Sequence, residues 1–241
     1  MEKEEAFLFK NFKVFQNSTS VFKVNTDAVL LASFVDIITS NASVLEIGSG
    51  TGVISLCVAD KFNSLNPEIT AIDIDEQAFH LTDLNFKHSG FPNLTTIHQS
   101  LNEFQKCTSR KFDLIVSNPP YHTETYFSTK KRNIKAKYTT SLPFVELLSI
   151  SFQLLNNDGK FYIIIPTSQL DTIHSILKNI PLYINKIIEI YPKKSKSSNR
   201  IILEFSKMSS ATIVEPLVIY NEDNTYTEAY IERTKNFYLK F

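Results

Sequence analysis

The sequence predicts an α/β fold: a doubly wound, mostly parallel sheet with helices on both faces. Three observations point there. Short apolar and β-branched runs alternate with longer amphipathic runs along most of the chain, the pattern of strand–helix–strand units. One apolar run, Val44-Leu45-Glu46-Ile47, leads into Gly48-Ser49-Gly50-Thr51-Gly52, which holds three of the five glycines. Another, Phe112–Ser117, stops at Asn118-Pro119-Pro120-Tyr121. In doubly wound sheets, ligands bind outside the carboxyl ends of the strands, which is where both stretches fall.

Composition narrows the class. A chain of 241 residues buries a full core as one domain, and 43% hydrophobic with 21% charged residues is ordinary for a globular protein. The formal net charge is zero, so a basic surface can arise only from uneven distribution. Cys57 and Cys107 make no disulfide framework, and no His/Cys cluster has metal-ligand spacing, so no metal is expected. The opening MEKEEAFLFK is not a signal peptide and no apolar run approaches bilayer length, so a cytoplasmic protein without membrane contact is expected.

Taken in order, residues 7–22 alternate aromatic and polar positions (Phe7, Phe9, Phe12, Phe15, Phe22), which predicts a short hairpin. Asn25-Thr26-Asp27 supplies N-cap chemistry for a helix carrying Val29, Leu30, Leu31 and Phe34. After the glycine loop, Val53–Lys61 reads as a helix whose first N–H groups face the loop. Residues 69–73 form the next strand, ending in Asp73 about 20 residues after the loop, the spacing of a ribose-binding acid. Asp75 is close enough to be confused with it, but is better placed to cap a helix over 77–87. Leu94–His98 is a short strand and Phe112–Ser117 a buried one. Residues 142–155 form an apolar helix, 160–166 a strand, 168–179 an amphipathic helix and 183–191 a strand. An exposed hairpin loop over 192–199 precedes a strand over 200–205. Residues 212–220 are a further strand candidate, and 226–241 an amphipathic tail packing Tyr230, Phe237, Tyr238 and Phe241.

The two strand-end stretches carry the chemistry. Glycine permits positive φ and close backbone approach, as a ligand-cradling turn needs. The two prolines of Asn118-Pro119-Pro120-Tyr121 fix φ and remove two donors, so carbonyls are left to accept. The Asn118 amide oxygen and the Pro119 carbonyl suit the hydrogens of an exocyclic amine, and Tyr121 suits stacking on its ring. A lone Asn-Pro-Pro would be read as an ordinary turn; the glycine loop upstream changes that.

Glu46-x-Gly48-x-Gly50-x-Gly52 resembles the first motif of class I S-adenosylmethionine-dependent methyltransferases, and Asn118–Tyr121 resembles the signature of those acting on a planar amino or amide nitrogen. The resemblance implies a Rossmann-like, seven-stranded, mostly parallel sheet with the last strand antiparallel. It implies S-adenosylmethionine as cofactor, held by Glu46, Gly48, Gly50, Gly52, Asp73 and Asn118. Asn118, Pro119, Pro120 and Tyr121 are implied as the catalytic turn. Thr26 and Asp27 match the segment beside the methionine end of the cofactor. Where the family often carries an acid facing the adenine amino group, this chain has Ser100, whose hydroxyl can accept the same bond, with Asn102 nearby and the Leu101 N–H as donor to the ring nitrogen. An N-terminal extension of about 40 residues is expected to contribute to the cofactor site of a single domain over 1–241.

Among related chemistries, a nicotinamide dehydrogenase needs a glycine or alanine where Val53 stands. A non-catalytic RNA-binding relative would have lost the cofactor loop. The release-factor glutamine methyltransferases share the Asn-Pro-Pro-Tyr turn but usually carry a separate helical domain. Ribosomal guanine-N2 enzymes more often end the turn in Phe. FKVNTDAVLLA, NPPYH, AKYTTSL and the ending YTEAYIERTKNFYLKF resemble the bacterial tRNA(Val) adenine-N6 methyltransferases. That resemblance implies methylation of the adenine 3′ of the anticodon, with release-factor glutamine or rRNA guanine-N2 as alternatives. Lys137 stands where the family leads one to expect arginine. tRNA is the expected partner of a monomer, and its phosphates the expected contacts of Lys130, Lys131, Arg132, Lys135 and Lys137 beside the turn, and of Lys193 and Lys194 in the hairpin.

Overall fold

The computed structural model describes residues 4–17, 23–37, 39–120 and 142–240. The hairpin expected over 7–22 lies earlier, as β1 (Glu4–Leu8) paired antiparallel with β2 (Lys13–Asn17), and Phe22 lies outside the described residues. Helix α1 (Thr26–Phe34) starts where Asn25 Oδ1 accepts the Ala28 N–H at 2.9 Å. It is buried on nearly every side, so its apolar residues need no amphipathic stripe. Its last carbonyls are satisfied from outside, since Lys61 Nζ donates to Ser33 O at 2.9 Å and to Val35 O at 2.6 Å.

The alternation then runs as read: β3 (Ser43–Ile47), α2 (Val53–Lys61), β4 (Glu68–Asp73), α3 (Glu76–Ser89) and β5 (Leu94–His98). A short α4 (Leu101–Cys107) follows, an element additional to those expected from the sequence. Then come β6 (Phe112–Ser117), α5 (Phe144–Leu154), β7 (Leu155–Pro166) and α6 (Leu170–Leu177). The chain closes with β8 (Tyr183–Lys193), β9 (Arg200–Ser206), β10 (Ile213–Tyr220) and α7 (Glu228–Thr234).

The sheet order is β10-β8-β9-β7-β6-β3-β4-β5. β9 lies antiparallel between β7 and β8, while the pairings among β3 to β7 are parallel. Strands β3 to β9 thus give the expected seven with the last antiparallel. β10, the further strand candidate, adds an eighth by pairing parallel with β8. Pro216 sits within it, a residue sheets accept at an edge.

Central strands feed both faces, as period-two alternation requires. Val44, Leu114, Val116, Tyr162 and Ile164 join one core with α1 and α2. Leu45, Ile47, Ile115, Phe161 and Ile163 join the other with α4, α5 and α6. Each fully buried apolar side chain contributes about 1.5–3 kcal/mol, so the middle of the sheet holds much of the fold's burial energy. The tail packs as expected through Tyr230 and Phe237, both 2% exposed. Phe241 lies outside the described residues.

Candidate functional site

Three strand ends meet in register at the middle of the sheet. Ile47 of β3 pairs with Ile72 of β4 on one side and Ser117 of β6 on the other. The next residues, Gly48, Asp73 and Asn118, therefore leave the sheet side by side at its carboxyl edge. Neighbouring strands lie about 4.8 Å apart, so one small ligand can span all three. The roots are tied together: Gly48 N and Ser49 N donate to Ile72 O at 2.9 and 3.2 Å, and Ser117 Oγ donates to Ile47 O at 2.8 Å.

The glycine loop is closed by its own neighbours. Asp73 Oδ2 accepts the Gly50 N–H at 2.9 Å, and its Oδ1 accepts the Asp75 N–H at the same distance. Burial pushes the Asp73 carboxyl above its ordinary range, while the Gly50 and Asp75 N–H groups pull it back. Asp75 faces the other way as the N-cap of α3, accepting from Gln77 N at 2.8 Å and Ala78 N at 3.1 Å. Gly52 caps α2 at φ +74°, and a Cβ there would stand 2.9 Å from Thr82 Cγ2. Only glycine fits this packing.

Glu46 falls on the α2 side of β3, the side shared with Val44. It is fully buried beneath the loop. Its Oε2 accepts the Ser55 N–H at 3.1 Å and the Ser55 hydroxyl, while Oε1 has no partner among the described residues. Burial raises this carboxyl to about 8, against the two bonds from Ser55.

The Asn118-Pro119-Pro120 turn is placed by β6. Asn118 is half-buried, Pro119 buried and Pro120 exposed. Tyr121 lies outside the described residues, as do Lys130, Lys131, Arg132, Lys135 and Lys137. Thr26 opens α1 and is exposed, while Asp27 Oδ2 accepts from Arg200 Nε at 3.0 Å. This ion pair joins α1 to the start of β9, also at the carboxyl edge because β9 runs antiparallel.

Ser100 is the N-cap of α4, in a reciprocal capping box with Glu103. Its hydroxyl donates to Glu103 Oε2 at 2.6 Å. Leu101 is the first residue of that helix, so its N–H has no intrahelical acceptor. Asn102 Nδ2 donates to Glu146 Oε1. Lys193 ends β8 with its Nζ on Glu222 O at 3.0 Å, and Lys194 is exposed in the turn beyond.

Several site residues escaped the sequence reading. Ile74, 48% exposed between Asp73 and Asp75, offers an apolar surface to a flat ring. Thr82 and Asn85 of α3 grip the glycine loop from behind, with Asn85 Nδ2 on Thr51 O at 2.9 Å. Ser100-x-x-Glu103 is itself a helix-start signal and would have revealed α4.

These groups fit S-adenosylmethionine. A Cβ added at Gly48, at φ +75°, would meet nothing within 4 Å, so the loop leaves room where the backbone turns outward. Asp73 and the exposed Ile74 follow Ile72, whose carbonyl binds Gly48, so a carboxylate and an apolar side chain, the kinds of group that suit ribose hydroxyls and an adenine ring, come next along the chain. Among the described residues, no group of three or more His, Cys, Asp or Glu side chains could hold a metal, and no helix is long and apolar enough to cross a membrane.

Comparison with known proteins agrees with this geometry. The family model of the methyltransferase small domain matches residues 14–180. Curated relatives called tRNA1(Val) (adenine(37)-N6)-methyltransferase are similar along nearly the whole chain. That of Flavobacterium psychrophilum is 34% identical over 97% of this chain and 99% of its own length. That of Haemophilus influenzae is 33% identical over 98% and 99%. Among solved structures, a protein from Agrobacterium tumefaciens described as a predicted O-methyltransferase superposes with a TM-score of 0.66. At 15% identity, over 88% of this chain and 96% of that one, it speaks for the fold.

Proposed function

Because this chain belongs to the methyltransferase small-domain family, and within it to the tRNA1(Val) (adenine(37)-N6)-methyltransferases, we propose that it transfers a methyl group from S-adenosylmethionine to the N6 amino group of the adenine 3′ of the anticodon in tRNA(Val). The single observation that supports this at the level of the site is the shared register of β4, β3 and β6. It sets an acid, a glycine loop and an amide-bearing turn next to one another.

The cofactor, when bound, supplies a methyl group already activated by positive sulfur. The protein's part is to bind and orient. Asp73 accepts from the ribose hydroxyls, the backbone of Gly48, Gly50 and Gly52 cradles the rest, and Glu46 holds the start of α2 under the loop. Thr26 and Asp27 stand at the methionine end, with Asp27 oriented by Arg200. Ser100 and the Leu101 N–H serve the adenine edge.

On the target side, an aromatic amine shares its lone pair with its ring and is a poor nucleophile. Asn118 Oδ1 and Pro119 O each accept one amine hydrogen, which favours a pyramidal nitrogen with its lone pair aimed at the methyl carbon. Pro120 stiffens the turn and Tyr121 stacks on the base. Holding two reactants in this way supplies roughly 7–11 kcal/mol of the barrier. Proton loss follows transfer, so no side-chain base is required at the amine.

The RNA backbone is held by Lys130, Lys131, Arg132, Lys135 and Lys137 near the turn, and by Lys193 and Lys194 at the hairpin. The protein works as a cytoplasmic monomer without metal, as one domain whose N-terminal extension helps form the cofactor site. What supports the last point is Asn85, which bonds both β2 and the glycine loop. Mass spectrometry of modified nucleosides in tRNA from a strain lacking this chain tests the function. The expected result is loss of N6-methyladenosine from the anticodon loop of tRNA(Val); unchanged N6-methyladenosine there would overturn it.

A further inference from the structure

The glycine loop is held from behind by α3, and the side chain that holds it also holds the N-terminal hairpin. We infer that Asn85 is a positioning residue for the cofactor: it couples the docked β1–β2 hairpin to the Thr51–Gly52 peptide that closes the glycine loop. The inference rests on the reading of Gly48, Gly50 and Gly52 as the cofactor loop.

α3 is amphipathic, yet its inner face carries two fully buried polar side chains one turn apart, Thr82 and Asn85. A buried amide is costly unless bonded, and Asn85 is bonded on both sides. Its Nδ2 donates to Thr51 O at 2.9 Å and to Phe15 O at 3.0 Å, and its Oδ1 accepts the Phe15 N–H at 2.7 Å. Thr82 Oγ1 donates to Gly50 O at 3.2 Å and meets Ser49 Oγ at 2.9 Å. An asparagine that only fastened the hairpin would have no use for the Thr51 bond.

The consequence for the loop follows from peptide geometry. No described peptide bond is cis, so each carbonyl points opposite to the N–H that follows it. Fixing Gly50 O and Thr51 O against α3 turns the Thr51 and Gly52 N–H groups away from it. The Gly52 N–H closes on Ser49 O at 2.7 Å, whereas the Thr51 N–H has no acceptor among the described residues. It is left as a donor on the outer side of the loop, its own peptide held by Thr82 through Gly50 O, while Asn85 holds the next peptide, whose N–H closes the loop on Ser49.

The hairpin end of this link is anchored far away in sequence. Lys10 N donates to Phe237 O at 2.9 Å and Lys10 Nζ to Lys235 O at 2.6 Å, while Phe9 and Tyr238 form a β-bridge with stacked rings. The C-terminal tail thereby holds the hairpin that Asn85 holds to the loop.

Calorimetric titration of S-adenosylmethionine into the full chain tests this. Asn85→Ala is expected to weaken binding about tenfold or more, as for loss of a buried bonded amide. Phe161→Leu, in the opposite core layer, controls for lost stability and is expected to bind within about twofold of wild type. The isosteric Asn85→Asp keeps the volume if Asn85→Ala fails to fold. Its charge faces two carbonyls, so its affinity is expected to be lowest near neutral pH and to recover as pH falls and the acid regains a donor proton. Equal affinity of Asn85→Ala and wild type, equal losses in Asn85→Ala and Phe161→Leu, or an Asn85→Asp affinity indifferent to pH would each overturn the inference. A wild-type chain that binds no S-adenosylmethionine would overturn the cofactor-loop reading, and this inference with it.

Discussion

The glycine loop and the Asn-Pro-Pro turn leave neighbouring strands at the same level, yet they are shaped by different means. The loop between Gly48 and Gly52 takes its form from elsewhere: Ile72 and Asp73 of β4, and Thr82 and Asn85 of α3, each bond its backbone. The turn takes its form from itself, since Pro119 and Pro120 fix their own φ, with Ser117 tying its root to β3. A surface built by distant side chains can be tuned or lost at many positions. One built by covalent geometry is lost mainly where its functional group is removed.

The largest expected effect therefore sits on the turn. Asn118→Ala is expected to reduce methyl transfer to tRNA by a factor of about 100 or more, the scale of a lost hydrogen-bonding catalytic group. Cofactor affinity measured calorimetrically should fall far less than methyl transfer, and a loss of affinity as large would show that the two regions are not separate. Next comes the loop. Gly52→Ala forces a Cβ to within 2.9 Å of Thr82 Cγ2 at φ +74°. Left-handed strain alone costs roughly 1–2 kcal/mol, so thermal unfolding should occur several degrees lower and cofactor binding should weaken. Unchanged unfolding would mean that α3 yields and does not clamp.

Asp73→Ala removes the acceptor offered to the ribose, a bond to a charged group worth about 1.5–3 kcal/mol. Weaker cofactor binding in a folded variant is expected, and unchanged affinity would shift the role to Asp75. Glu46 gives a pH signature. Its folded pKa stands at about 8 against an ordinary 4.5, so the folded chain alone keeps that proton between these values. Its contribution to stability is full below about pH 4.5 and is lost as pH rises through about 8. Glu46→Gln keeps the neutral form throughout, so its denaturation midpoint should gain on wild type from pH 5 to 8. Parallel pH profiles would refute the assignment. The smallest effect is expected at the hairpin, where reversing Lys194 should flatten the salt dependence of tRNA binding by about 0.7–0.9. Wild-type affinity at every salt concentration would remove Lys194 from the interface.

What was legible in the sequence follows the same division. The α2 range, the strand ends at Asp73 and Ser117, and the Asn-Pro-Pro turn rest on local periodicity and covalent restriction, and all stand where expected. Asn25 and Asp75 announce their caps within four residues. The Asn85 bonds to Phe15 and Thr51 span 70 and 34 residues, and the Arg200–Asp27 pair spans 173. No local pattern encodes such contacts, so the supports of the loop became visible only in the fold. Ser100 is intermediate: its spacing to Glu103 is local and marks the start of α4, at the position where the family resemblance implies an adenine contact.

The reaction proposed for these two regions is methylation of one adenine amine in tRNA. Its most direct test is transfer of label from methyl-labelled S-adenosylmethionine to an unmodified tRNA(Val) transcript by the purified chain, followed by nuclease mapping. The expected result is label as N6-methyladenosine at the adenine 3′ of the anticodon, and none when that adenine is replaced by guanine. Label on guanine N2, on a release-factor glutamine in place of tRNA, or undiminished after the replacement would contradict the account.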